Sequence, residues 1–329
     1  MKRLFLLLFI GVIAFGLWFY YIDPRQTWDG IKTTNLLYLS LGYVLFFISY
    51  GFKILRWALI LKKIKKIPFL QVVKYYWACE FVNNFVPARM GELSNSLLLK
   101  KNYAVAISAS MSAMLVDRFY GIIVRLAVIA FIPFVAHEMY PYLKNYLIYV
   151  ACLLAIILIF FILLVKNTRH FIKLLDKLLF FLSESWTQQI LSFIENAIVT
   201  IKKTHFRKLD IFIFLGISIL SLVTQAWRTY YFFKAVGIEM PIGIYVITTT
   251  IMDFLLILPS PPASLGTAEW YTNIIYTIGL GISKNTVAGI AVLTHGITLC
   301  LIAILGLTSL SSIGYGFFNT GKSESRGYE

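Results

Sequence analysis

Seven basic and five acidic side chains stand inside long apolar stretches of this chain: Lys53, Arg56, Lys74, Arg89, Arg118, Arg125 and Arg228 against Glu80, Glu92, Asp117, Asp253 and Glu269. At the centre of a bilayer each would cost at least ~2.5–3.5 kcal/mol, so none can face lipid unpaired. They must face one another, a wet cavity or a substrate. The chemistry such groups perform is charge recognition: an arginine's planar fork suits bidentate contact with phosphate, and a carboxylate balances it or gates access. Arg89 and Glu92 are three residues apart in Asn84-Phe-Val-Pro87-Ala-Arg89-Met-Gly91-Glu92. Either they form a local salt bridge across a turn, or Arg89 reaches an anionic headgroup while Glu92 compensates it. Asn84 would cap a broken helix end there or touch substrate. In a second proline cluster, Pro259-Ser-Pro-Pro262-Ala-Ser-Leu-Gly266, no continuous helix survives, and Glu269 follows two turns after Pro262. Carboxylate protonation at Glu269 or Asp253 and static charge balance are both open. Asp117 and Arg118 are adjacent, so on a helix they need separate partners, and Arg56 and Glu92 are the candidates. For Arg56 and Arg228, close to helix ends, snorkelling to the headgroups competes with a cavity role.

The elements that must position these groups follow from composition. The chain has 329 residues, 59% hydrophobic and 14% charged, with mean hydropathy +0.79. A soluble globule has about 25% charged residues. The pattern implies an all-α polytopic membrane protein, a single transmembrane domain over 1–318. Six stretches are long enough to cross: about 4–22, 36–61, 104–136, 146–165, 211–236 and 286–310. The first begins Met-Lys-Arg like a signal peptide, but its apolar run has no small-residue cleavage pattern, so it reads as a retained helix.

Two further segments, about 69–99 and 242–281, are too short for a pair of crossings of about 20 residues each. They read as re-entrant hairpins, broken near mid-depth, where exposed backbone is tolerated only inside protein or beside a water-filled cavity. Lys and Arg crowd the N-terminus, 62–66, 100–101, 166–208 and the tail. The opposite loops hold only Arg25, Lys32, Lys144, Lys234 and Lys284, which puts both termini in the cytoplasm of an inner-membrane protein. In the same way, the net charge of +15 points to positive-inside bias and anionic lipid, not nucleic acid. The segment 166–210 reads as amphipathic helices on the inner leaflet or as a loop packed on the bundle; 319–329 reads as a disordered cytoplasmic tail. Arg56-Trp57 before Pro87…Gly91-Glu92, and Trp227-Arg228 before Pro259…Gly266…Glu269, suggest an inverted repeat of the kind that brings broken helices together near the midplane.

Cys79, Cys152 and Cys300 and the four histidines have no metal-ligand spacing, and no nucleotide loop or nucleophile elbow is present. No cofactor is expected and no catalytic motif is found, although an embedded transferase using a carboxylate base would leave no long motif.

These residues together resemble the lysylphosphatidylglycerol synthase transmembrane-region family of flippase-like membrane proteins. The resemblance spans about 36–310. It rests on Arg56-Trp57, on Asn84 to Glu92, on Val116-Asp117-Arg118 and on Pro259…Pro262…Leu265-Gly266-Thr-Ala-Glu269. It implies two re-entrant hairpins and movement of lipids between leaflets, of aminoacylated phosphatidylglycerol where a transferase domain is fused and of glycolipid or polyprenyl-linked sugar in other members. This chain departs in lacking such a soluble domain, in having Asn95 where a basic residue is usual, and in having Pro261-Pro262-Ala263-Ser264 where the family has Ser-Pro-Gly-Gly. The combined expectation is a transporter of a lipid with a phosphate or other anionic head, working beside a separate glycosyltransferase or aminoacyl-transferase. Its polar cavity would be lined by Arg56, Asn84, Pro87, Arg89, Gly91, Glu92, Asp117, Arg118, Arg228, Pro259, Pro262, Gly266 and Glu269. The alternatives are an embedded lipid-modifying enzyme and a scaffold partner of an envelope glycosylation pathway.

Overall fold

A helix satisfies its own backbone hydrogen bonds, so it is the form a chain this apolar takes in lipid. The computed structural model describes residues 2–86, 90–135, 191, 206–256 and 260–324, and among them there is no strand. Five of the six expected spans are long helices: α1 (Lys2–Tyr21), α3 (Leu36–Lys62), α6 (Ile107–Val135), α7 (Lys208–Lys234) and α10 (Lys284–Glu324). The protein is all-α and polytopic, and α3, α7 and α10 are each long and apolar enough to cross a membrane. The stretch 146–165 and most of the amphipathic segment 166–210 lie outside the described residues. α10 continues to Glu324, past the start of the expected tail at 319; residues 325–329 lie outside.

One expected loop is a helix instead. Asp23 accepts hydrogen bonds from the backbone N–H groups of Arg25 and Gln26, and Pro24 stands at the first position, so α2 (Pro24–Lys32) is capped by its own sequence. It buries Thr27, packs on α10 and leaves Trp28 exposed.

The two broken elements are α4 (Phe69–Phe85) with α5 (Gly91–Tyr103), and α8 (Ile242–Leu255) with α9 (Thr267–Asn273). Their helices have 17, 13, 14 and 7 residues, all short of the ~20 a crossing needs. α4 stops because Val86 precedes a proline and is driven to extended geometry, φ −103° and ψ 131°. α5 ends at Ala104, which takes the left-handed φ of +54°. Its N–H donates to the Lys100 carbonyl and that of Val105 to the Leu99 carbonyl, a paired C-terminal closure that glycine normally serves.

By its contacts the chain divides into two units. One comprises Met1–Ile54, Pro68–Asn95 and Ser221–Glu329, the other Leu55–Ile67 and Ser96–Leu220. The first unit has its main core around Phe232, Phe233, Tyr245, Tyr276, Val287 and Ile290, with a second cluster of Phe46, Ile54, Trp77 and Ile302. α10 is its spine, lying along α4 and touching α2 and α9. Lys74 of α4 donates from Nζ to Ser312 Oγ at 2.6 Å, which gives one embedded base a partner on that spine.

Candidate functional site

The second broken element is built from backbone that few side chains tolerate. A short 3₁₀ turn spans Pro262–Ser264, with Ala263 at φ +57° and Ser264 at φ +51°. Gly266 follows at φ +79°, and a Cβ there would stand 2.7 Å from the Phe15 backbone nitrogen of α1. Only glycine meets both the torsion and the contact. The chain then enters α9, which buries Glu269 to 3% exposure. α9 runs into a π-helical turn, Ile274–Ile278, where the Gly279 N–H donates to the Ile274 carbonyl at 3.0 Å. This turn brings the Tyr276 hydroxyl to 2.7 Å from Thr248 Oγ1 on α8. Just ahead of it, Asn273 accepts from Trp18 Nε1 at 2.8 Å and donates to the Lys284 carbonyl. The returning arm is thus tied to α1, α8 and α10.

Those ties wall a cavity of about 290 Å³ inside the first unit. α7 offers it one polar face: Ser218, Ser221, Gln225 and Arg228 recur at three- or four-residue spacing, and Gln225, Arg228 and Thr229 line the space. α3 contributes Tyr50 and Lys53, α4 Asn84, α8 Thr248, Thr249 and Asp253, and α10 Thr294, His295 and Thr298; Ser264, Glu269 and Thr272 complete the polar wall. The cavity therefore holds two bases, Lys53 and Arg228, and two acids, Asp253 and Glu269, beside a histidine.

Their geometry separates them. Lys53 Nζ lies 4.8 Å from the Tyr50 ring centroid and 3.4 Å from Gln225 Oε1. The Arg228 guanidinium lies 5.9 Å from the Phe46 ring and 6.0 Å from that of Phe232, within cation–π range. Its Nε is buried with no hydrogen-bond partner, and no carboxylate among the described residues pairs with it. Glu269 Oε1 lies 2.6 Å from His295 Nδ1, while the buried Oε2 has no partner. Buried polar atoms are normally satisfied, so an unpaired cation and an unpaired carboxylate oxygen on one wall mark a space suited to a polar ligand.

Of the residues singled out from sequence, Asn84, Arg228 and Glu269 line this cavity. Asn84 also donates to the Glu80 carbonyl at 2.9 Å, one turn back on α4. Pro262 and Gly266 shape the turn beside the wall. Gly91 opens α5 so close to α4 that an added Cβ would strike the Cys79 carbonyl, and its N–H donates to Asn83 Oδ1 at 2.8 Å. Asn83 Nδ2 lies 3.5 Å from Glu92 Oε1. Pro87, Arg89 and Pro259 lie outside the described residues.

Arg56 and Asp117 belong to the second unit, where Arg56 donates from Nε and Nη2 to the two Asp117 carboxylate oxygens at 2.6 and 3.0 Å, and from Nη1 to Ser218 Oγ at 2.6 Å. This is the pairing anticipated for Asp117. Arg118 is exposed on the same helix. The sequence reading missed His295 as a site residue. Its signal was the one used for the arginines: an ionisable side chain in the middle of a crossing helix.

Compared with known families, residues 4–306 match the model described as the lysylphosphatidylglycerol synthase TM region, almost the whole chain. No curated protein and no solved structure matches it.

Proposed function

We propose, for a chain that belongs to the lysylphosphatidylglycerol synthase TM region family, that it carries a lipid with a phosphate or other anionic head between leaflets. The head would enter the cavity of the first unit while the acyl tails stay in lipid. The observation behind this reading is Arg228, a guanidinium at the cavity wall with two flanking aromatic rings and an unsatisfied buried Nε. An arginine so placed is prepared for an anion, because its buried Nε has no acceptor and its planar fork suits phosphate. Lys53 on the opposing α3 adds a second positive charge. The role is transport and not catalysis, in an inner membrane with both termini cytoplasmic, as the distribution of Lys and Arg favours. A separate glycosyltransferase or aminoacyl-transferase would make or use the cargo.

The test is transbilayer movement of fluorescent anionic and zwitterionic lipids in vesicles holding the purified chain. Wild type should move the anionic lipid without changing its mass, Arg228→Lys should retain part of the rate, and Arg228→Ala should lose tenfold or more. An unchanged rate in a folded Arg228→Ala variant removes the site, and a changed lipid mass replaces the transporter with an enzyme.

A further inference from the structure

The transport reading leaves Glu269 and His295 without a task. A carboxylate buried to 3% exposure costs stability unless it is matched, and this one is matched at one oxygen only. Across 2.6 Å to His295 Nδ1 a single proton serves both groups: carried by a neutral imidazole and donated to the carboxylate, it leaves the pair with one negative charge. Oε2 is the atom free to take a second proton, which would leave the pair neutral.

The surroundings give that second proton a reason to bind. α3 faces the pair with Lys53 and Tyr50, α7 with Arg228, α8 with Asp253, and the π turn with Tyr276; α4 brings only the neutral Asn84 to the wall. The two bases and two acids balance in the empty cavity. An anionic head adds one uncompensated negative charge beside these groups, and at such short range in protein a charge is felt more strongly than in bulk water.

We propose that Glu269 and His295 form a proton site that loads together with the anionic head, so that one proton enters the cavity with each lipid and the loaded cavity stays neutral. The step is a protonation and nothing more: the proton comes from solvent, adds to the Glu269–His295 pair as the anion docks at Arg228, and leaves with it on the other side. A pH gradient could then drive the lipid. By linkage, ligand binding that takes up a proton strengthens as pH falls, up to about tenfold per pH unit across the range in which the pair titrates. The coupling presupposes the anion-carrying cavity proposed above.

Calorimetry on the purified full chain in neutral detergent separates the two. The probes are a short-chain phosphatidylglycerol, with a short-chain phosphatidylcholine as control, each titrated between pH 5.5 and 8 in buffers of differing ionisation heat. Wild type should take up about one proton per phosphatidylglycerol and bind it more tightly at the acid end. Glu269→Gln and His295→Asn should each lose the proton uptake and flatten the pH profile, whereas Asp29→Asn, exposed on α2 and away from the cavity, should keep the uptake. Either of the first two suffices if the other does not fold. Binding by wild type without proton uptake, or uptake kept in a folded Glu269→Gln, overturns the coupling and leaves transport standing. Absence of any phosphatidylglycerol binding overturns both.

Discussion

Asp117→Ala strands a guanidinium. The Arg56 and Asp117 side chains are 7% and 15% exposed and meet through two charged hydrogen bonds of 2.6 and 3.0 Å. Hydrogen bonds to charged groups are worth about 1.5–3 kcal/mol each, and breaking a buried pair by removing one partner costs about 3–5 kcal/mol, because the survivor stays buried and uncompensated. Ser218 Oγ remains as an acceptor for Nη1, so the loss should fall near the middle of that interval, about 4 kcal/mol. Asp117→Asn keeps one acceptor oxygen and should lose about half as much. Arg56→Met combined with Asp117→Leu removes both charges and fills the space, and should recover to within about 1 kcal/mol of wild type. Equilibrium unfolding of the full chain in mixed micelles of rising SDS fraction, followed by tryptophan fluorescence, measures all three. If Asp117→Ala lies within about 0.5 kcal/mol of wild type, or if the double variant is less stable than Asp117→Ala alone, the pair does not hold the second unit as described.

Two backbone predictions use the same assay. Ala104 takes a left-handed φ with its methyl exposed, so Ala104→Gly should stabilise by about 1 kcal/mol; a loss of stability would contradict the C-terminal closure of α5. Gly91→Ala drives a methyl into the Cys79 carbonyl and the Asn83 side chain and should destabilise by about 1–3 kcal/mol, whereas no change would mean that α4 and α5 are not in contact there.

The long helices and both breaks were legible because hydropathy and proline act locally: Val86 is extended simply because Pro87 follows it. α2 was equally legible in Asp23-Pro24, a capping residue followed by a first-turn proline, but so short and polar a helix carries no hydropathy signal. At the site, a charged residue in a span announces that it needs a partner and not which one. Asp117 and Arg56 could be matched because their alternatives were few. Glu269 and His295 could not, since their encounter depends on how α9 lies against α10, and that angle is set by a π turn with no sequence signature. The second break carries Ala263 and Ser264 where the family has two glycines. The backbone nevertheless holds both residues in the left-handed region that glycine prefers.

The π turn at Ile274–Ile278 holds one residue more than an α-helix would need between the same endpoints. That surplus makes the segment a dial. Deleting one codon from it would not snap the helix but relax it to regular winding, swinging everything upstream by about 100° relative to α10. Glu269 would then turn off its histidine while Tyr276 and the downstream chain kept their seats. A single-residue deletion here, harmless by length, would thus part Glu269 from His295 and break the Trp18–Asn273 tie that anchors the returning arm to α1.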